Sequence, residues 1–128
     1  MSIDMYQENI LDHYENPQNF GHLDSCDVKA HDSNPLCGDT FDFELKFKDG
    51  KIDDVKFSGH GCAISTASAS MLTEKIKSLP IEEVKKLEQK DILELLGIEL
   101  SHVRIKCAML PLKVVKLGVY EYLDKSKK

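Results

Sequence analysis

The tightest constraint on the fold lies between residues 40 and 58. Phe41, Phe43, Leu45 and Phe47 alternate with Asp42, Glu44, Lys46 and Lys48, Asp49-Gly50 follows, and Val55 and Phe57 then alternate with Asp54, Lys56 and Ser58. A period of two puts all the apolar side chains of a strand on one face, and Asp-Gly is a strong hairpin turn signal. Residues 40–48 and 51–58 therefore read as an antiparallel pair with one dry and one wet face. Ile52 is out of phase, which predicts a register adjustment near the turn. A lone hairpin is at best marginally stable, so its apolar face needs a cover.

The rest of the chain supplies helices. Ile3, Tyr6, Ile10 and Tyr14 fall on one helical face behind Ser2 as N-cap, and Asn16-Pro17 ends the run. Residues 18–36 are polar and irregular, with Val28-Lys29-Ala30-His31 as a short edge strand. After Gly59-His60-Gly61 comes a helix rich in Ala and Ser over 63–70, small side chains that allow close packing. Pro80 suits the first turn of a short helix carrying Ile81, Val84 and Leu87. Asp91 reads as the cap of a helix over 92–96 that Gly97 stops. A final helix carries Ala108, Leu112, Val115, Val119 and Tyr122 on one stripe, and Pro111 sets its start near Cys107, because proline belongs in a first turn. The expected architecture is α+β: a small three-stranded antiparallel sheet covered on one face by helices.

The 128 residues, 41% of them hydrophobic, suit one domain with a single core, residues 1–128. There is no apolar run long enough to span a membrane, and the acidic N-terminal segment is unlike a targeting peptide. A net charge of −5, with a basic excess only at Lys125, Lys127 and Lys128, argues against a nucleic-acid partner. The expectation is a cytoplasmic protein with free thiols used for metal or sulfur chemistry.

Three of the four cysteines sit at junctions between elements: Cys37 before the first long strand, Cys62 after Gly61 at a helix entry, and Cys107 at the expected start of the last helix. Unpaired N–H groups at such places favour thiolates, which act as nucleophiles or metal ligands. Gly38 and the pair Gly59 and Gly61 let the backbone turn tightly around a large inorganic group. Cys26 lies apart from these places.

The segments NPLCGD at 34–39, GHGCAISTASASMLTE at 59–74 and RIKCAMLPLK at 104–113 resemble the three signature segments of the IscU/NifU-type iron-sulfur cluster assembly scaffolds. The resemblance implies a SufE/NifU-like fold, Cys37, Cys62 and Cys107 as cluster ligands, and Asp39 as the motif aspartate. A 2Fe-2S core needs four terminal ligands, and a carboxylate exchanges more readily than a thiolate, so Asp39 as fourth ligand would keep the cluster transferable. The function implied is a non-enzymatic scaffold. It takes sulfur from a cysteine desulfurase and passes a 2Fe-2S cluster to apo iron-sulfur acceptor proteins.

Two departures bear on this reading. Lys106 stands where IscU proteins usually carry a histidine, as in the SufU branch, and a protonated lysine cannot ligate. Yet residues 63–106 between the second and third cysteines have the IscU-like length, without the SufU insertion. The alternative is a zinc-dependent sulfurtransferase of the SufU kind, with zinc on the same four residues. LSHVR at 100–104 lacks the prolines of the LPPVK segment that IscU members present to a Hsp70-type chaperone, which counts against chaperone-assisted transfer. Cys107 is the expected sulfur acceptor, with Lys106 beside it and a helix N-terminus behind it. His60 and His102 lie near the motifs and read as solvated loop histidines, with substitution as a ligand after rearrangement as the alternative. Oligomeric state is left open, including a cluster shared between protomers.

Overall fold

A computed structural model describes residues 3–35 and 38–126, with the side chains of 3–6 and 126 outside the description. Helix α1 (Ile3–Glu15) leads to β1 (Val28–Asn34), β2 (Asp39–Lys48) and β3 (Lys51–His60), followed by α2 (Ala63–Ile76), α3 (Ile81–Lys85), α4 (Gln89–Leu96) and α5 (His102–Ser126). The strands form an antiparallel meander in the order β1-β2-β3. This is the α+β arrangement that the alternation predicts. The expected N-cap Ser2 lies outside the described residues.

The hairpin follows its pattern. Phe41, Phe43, Leu45, Val55 and Phe57 are all buried, while the wet face carries Asp42, Lys46, Asp54 and Lys56. The register shifts between Lys46 and Phe47, so that Lys46 faces Asp54 and Phe47 faces Ile52. One extra residue on β3 turns Ile52 back into the core, which is what a bulge does. The edge strand β1 runs three residues past its expected end and pairs Asn34 with Asp39.

Helices α2 and α5 cover the dry face. Every residue of α2 from Ser65 to Thr73 is buried, so its hydroxyls must find partners inside the protein. Ser68 Oγ donates to the Ala108 carbonyl of α5 at 2.7 Å, and Thr73 Oγ1 donates to the Ser70 carbonyl at 2.6 Å. Ser70 Oγ accepts the Gln18 N–H at 2.7 Å and bonds His13 Nδ1 at 2.6 Å. Serines that read as mere small packing residues thus fasten α1, the 18–19 turn and α5 to one central helix.

Two helix starts differ from expectation. Helix α5 begins at His102, which places Pro111 in its interior and Cys107 in its second turn. A mid-helix proline removes one hydrogen bond and crowds the carbonyl four residues back, here that of Cys107. Helix α4 begins at Gln89, not after Asp91. Asp91 instead reaches back, its Oδ2 accepting the Glu88 N–H at 2.8 Å. Gly97 does end this helix, in the left-handed region at φ 71°.

On the outer side of the sheet, Glu44 is buried under the loop before β1. Burial by itself would raise its pKa, but hydrogen bonds from His22 and from the Leu23 N–H (3.1 Å), with the charges of His22 and Lys29, outweigh it and hold the carboxyl below its usual value. Asp32 is likewise lowered, chiefly by the Lys113 ammonium at 2.9 Å, which ties β1 to α5. Both groups are more acidic folded than unfolded. Their stabilisation is complete above the unfolded carboxylate range of about 4 and is lost as pH falls through the lower folded values. Melting temperature should therefore hold near neutral pH and drop in acid. Glu44→Gln should lower the neutral value and flatten the acid limb, and an unchanged acid limb would contradict this assignment.

Candidate functional site

The site forms where β2 begins, β3 ends and α5 passes. Asp39 is the first residue of β2 and shares the core-facing side of that strand with Phe41 and Phe43. It is 2% exposed, so its carboxylate needs internal partners. Asp39 Oδ1 accepts the backbone N–H of Cys62 at 3.1 Å, and Oδ2 lies 3.8 Å from Cys62 Sγ.

Cys62 is the N-cap of α2. Its sulfur accepts the Ser65 N–H at 3.4 Å, in the place a serine or aspartate oxygen fills at most helix starts. Ser65 Oγ donates in turn to the Cys62 carbonyl at 3.1 Å. The positive end of a helix and a donor aimed at sulfur both suit an anionic ligand. Ser65 and Ser68 were not singled out in the sequence. The spacing Cys62-x-x-Ser65 of a cap and its third helical residue is the signal that could have found the first.

The strand-to-helix junction demands glycine twice. Gly59 has φ 117°, and a Cβ there would lie 2.2 Å from the Thr40 carbonyl oxygen. A Cβ on Gly61 would lie 2.4 Å from Ser65 Oγ and 3.0 Å from both Asp39 Cγ and Phe41 Cζ. Only a residue without a side chain lets Asp39 meet the Cys62 N–H across this turn.

Cys107 approaches from α5, held by the Ser68 bond to the adjacent Ala108 carbonyl. One ligand atom each from Asp39, Cys62 and Cys107 lie within 4.8 Å of one another, a group able to hold a metal ion. Two thiolates on one tetrahedral zinc stand about 3.8 Å apart, given bonds of about 2.3 Å. The compact triangle therefore suits a single ion as it stands, and a two-iron core asks it to widen.

Of the expected ligands, Asp39, Cys62 and Cys107 come together. Cys37 lies outside the described residues, and the adjoining Gly38 takes φ 75°. Lys106 is exposed next to Cys107. Cys107 itself is buried at 1% and sits within α5, away from the helix N-terminus that was expected behind it, whereas Cys62 is half-buried. His60 and His102 are exposed and outside the ligand group, and Cys26 is exposed and unpaired.

Replacing Gly61 tests whether the turn builds the site. Gly61→Ala should cost about 1–3 kcal/mol from overpacking and, by displacing Asp39 and Ser65, weaken metal retention by about 10- to 100-fold. Competition with a colorimetric chelator and a thermal melt read the two effects. Unaltered metal affinity in a destabilised variant would show that the turn serves folding alone.

Comparison with known proteins gives the family. The family described as NifU-like N terminal domain matches residues 5–128. The iron-sulfur cluster assembly scaffold protein IscU 1 of Archaeoglobus fulgidus is 35% identical over 124 residues, covering 97% of this chain and 80% of the relative. The IscU scaffold protein of Escherichia coli K12 is 36% identical over 124 residues, covering 94% and 95% respectively. A Drosophila melanogaster relative, 38% identical over 98% of this chain and 83% of its own length, is named an iron-sulfur cluster assembly enzyme IscU. The solved structure of a SufU protein from Fervidobacterium islandicum superposes with a TM-score of 0.79 at 27% identity, covering 93% of this chain and 99% of that one. Family match, relatives and fold converge with the three motifs: this chain belongs to the NifU-like N-terminal domain family.

Proposed function

We propose that the protein is a scaffold on which a 2Fe-2S cluster is assembled and from which it is passed to apo-proteins, with Cys37, Asp39, Cys62 and Cys107 as its ligands. The observation that carries this reading is the buried Asp39 carboxyl group grouped with two cysteine sulfurs, one ligand atom of each within 4.8 Å of the others. The curated relatives named as scaffold proteins support it. The cluster is cargo and not a resident cofactor, so the scaffold must hold it and also let go. Three thiolates supply strong binding, and the harder, weaker carboxylate supplies the exchangeable position.

Sulfur arrives from a cysteine desulfurase. A scaffold thiolate attacks the outer sulfur of the donor's persulfide, the new S–S bond forms on the scaffold, and the donor cysteine leaves as thiolate. Cys107 remains our acceptor, with the exposed Lys106 beside it to offset the incoming negative charge. Its burial means that the covering groups must open for the attack. Cysteines used for metal and sulfur chemistry suit a reducing compartment, and we place the protein in the cytoplasm, with residues 1–128 acting as one scaffold domain. No helix among the described residues is long and apolar enough to cross a membrane. Zinc on the same residues is the alternative occupancy, since the triangle fits one tetrahedral ion.

Two variants test the roles. Asp39→Ala should slow cluster transfer to an apo-ferredoxin and to a chelator, because the labile ligand is gone. Transfer as fast as in the unaltered protein, or faster, would overturn the lability argument. Cys107→Ser should abolish acceptance of labelled sulfane sulfur from the desulfurase. Acceptance at the normal rate would move that role to another cysteine.

A further inference from the structure

Helix α5 forms one wall of an open groove of about 760 Å³ that starts beside the metal site. Met109, Leu117 and Tyr120 line it with apolar surface, and Leu117 and Tyr120 are 46% and 51% exposed. Lys106, Lys113 and Lys116 stand along it, against a single acid, Glu88. Lys113 is paired with Asp32, but Lys106 and Lys116 have no ion-pair partner among the described residues. In a chain of net charge −5 this is an apolar trough with uncompensated positive charge.

The opposite surface exists on the same molecule. Glu8, Leu11, Asp12 and Glu15 of α1 recur at helical spacing and are all exposed, with Tyr14 exposed beside them. The three acids have no ion-pair partner among the described residues. The inner side of α1 is fixed to α2 through buried Ile10 and the His13–Ser70 bond, so the acidic side faces away from its own chain. The lengths agree as well. At 1.5 Å per residue, the 13 residues of α1 span about 20 Å and the stretch of α5 from Lys106 to Tyr120 about 22 Å.

We infer that the groove receives α1 of a second copy of this chain, Leu11 and Tyr14 against Leu117 and Tyr120, and Asp12 and its neighbours against Lys116 and Lys106. The contact is head to tail, so copies can add beyond a dimer. One helix in one groove is small against the roughly 800 Å² per partner of a standard interface, which makes the association reversible. Because the groove opens at Lys106, a docked copy would crowd the approach to Cys107. Self-association would then compete with sulfur delivery. The docking itself does not depend on the cluster reading.

Sedimentation velocity on the full-length protein, from micromolar to millimolar, tests it, with and without chelator. The expected result is a sedimentation coefficient that rises with concentration in both conditions. Asp12→Lys and Lys116→Glu, both surface changes whose folding a thermal melt checks, should each weaken association by at least about tenfold through like-charge contact. An equimolar mixture of the two variants should associate again, since each supplies the surface complementary to the other. A protein that stays monomeric at millimolar concentration overturns the proposal. So does association abolished by chelator, which would belong to a shared metal, or association that neither variant weakens.

Discussion

The site depends on one hydrogen bond, from the Cys62 N–H to Asp39 Oδ1, made across a turn that has room for no side chain at Gly61. It joins the start of the central strand β2 to the start of α2, so the same contact sets the helix entry and gives a buried carboxyl group a donor. A buried charge without partners is expensive. Among the described residues the Cys62 N–H and the Cys62 sulfur face the Asp39 carboxyl group, an arrangement in which a metal ion would find three candidate ligands already gathered.

Around that bond the hydroxyls of α2 act as fasteners. A helix buried on nearly every side is usually all hydrocarbon, yet here Ser65 organises Cys62, Ser68 holds the turn of α5 that carries Cys107, and Ser70 and Thr73 hold α1 and the following turn. Close packing and polar fastening both need small residues. The three candidate ligands gathered here come from separate elements, and α2 is the part that touches or orders all of them.

The sheet was legible in the sequence because its pattern has period two and a turn of known type, and even the misfit of Ile52 appeared as a real register shift. The cysteine motifs pointed to the candidate group, of which the structure brings Asp39, Cys62 and Cys107 together, and Asp39 lies on the side of β2 that the alternation of Phe41, Phe43 and Leu45 defines. The start of α5 was misread for a physical reason. Pro111 was assigned to a first turn from its local preference, but packing of the long helix across the sheet overrides the loss of one hydrogen bond. That error also moved Cys107 to a helix end. The hydroxyl pairings of α2 depend on which elements meet in space, which a one-dimensional pattern does not encode. The acidic face of α1 and the lysines of α5 were in the sequence too, but only the fold shows one exposed and the other lining a groove.

The central claim is that these residues build and hold an iron-sulfur cluster. Anaerobic purification, reconstitution with iron, cysteine and a cysteine desulfurase, and then iron and acid-labile sulfide analysis with a visible absorption spectrum test it most directly. The account predicts iron and sulfide in equal amounts with charge-transfer bands, lost in Cys62→Ser. Zinc without sulfide that persists through reconstitution, or a Cys62→Ser protein carrying as much cluster as the unaltered one, would contradict it.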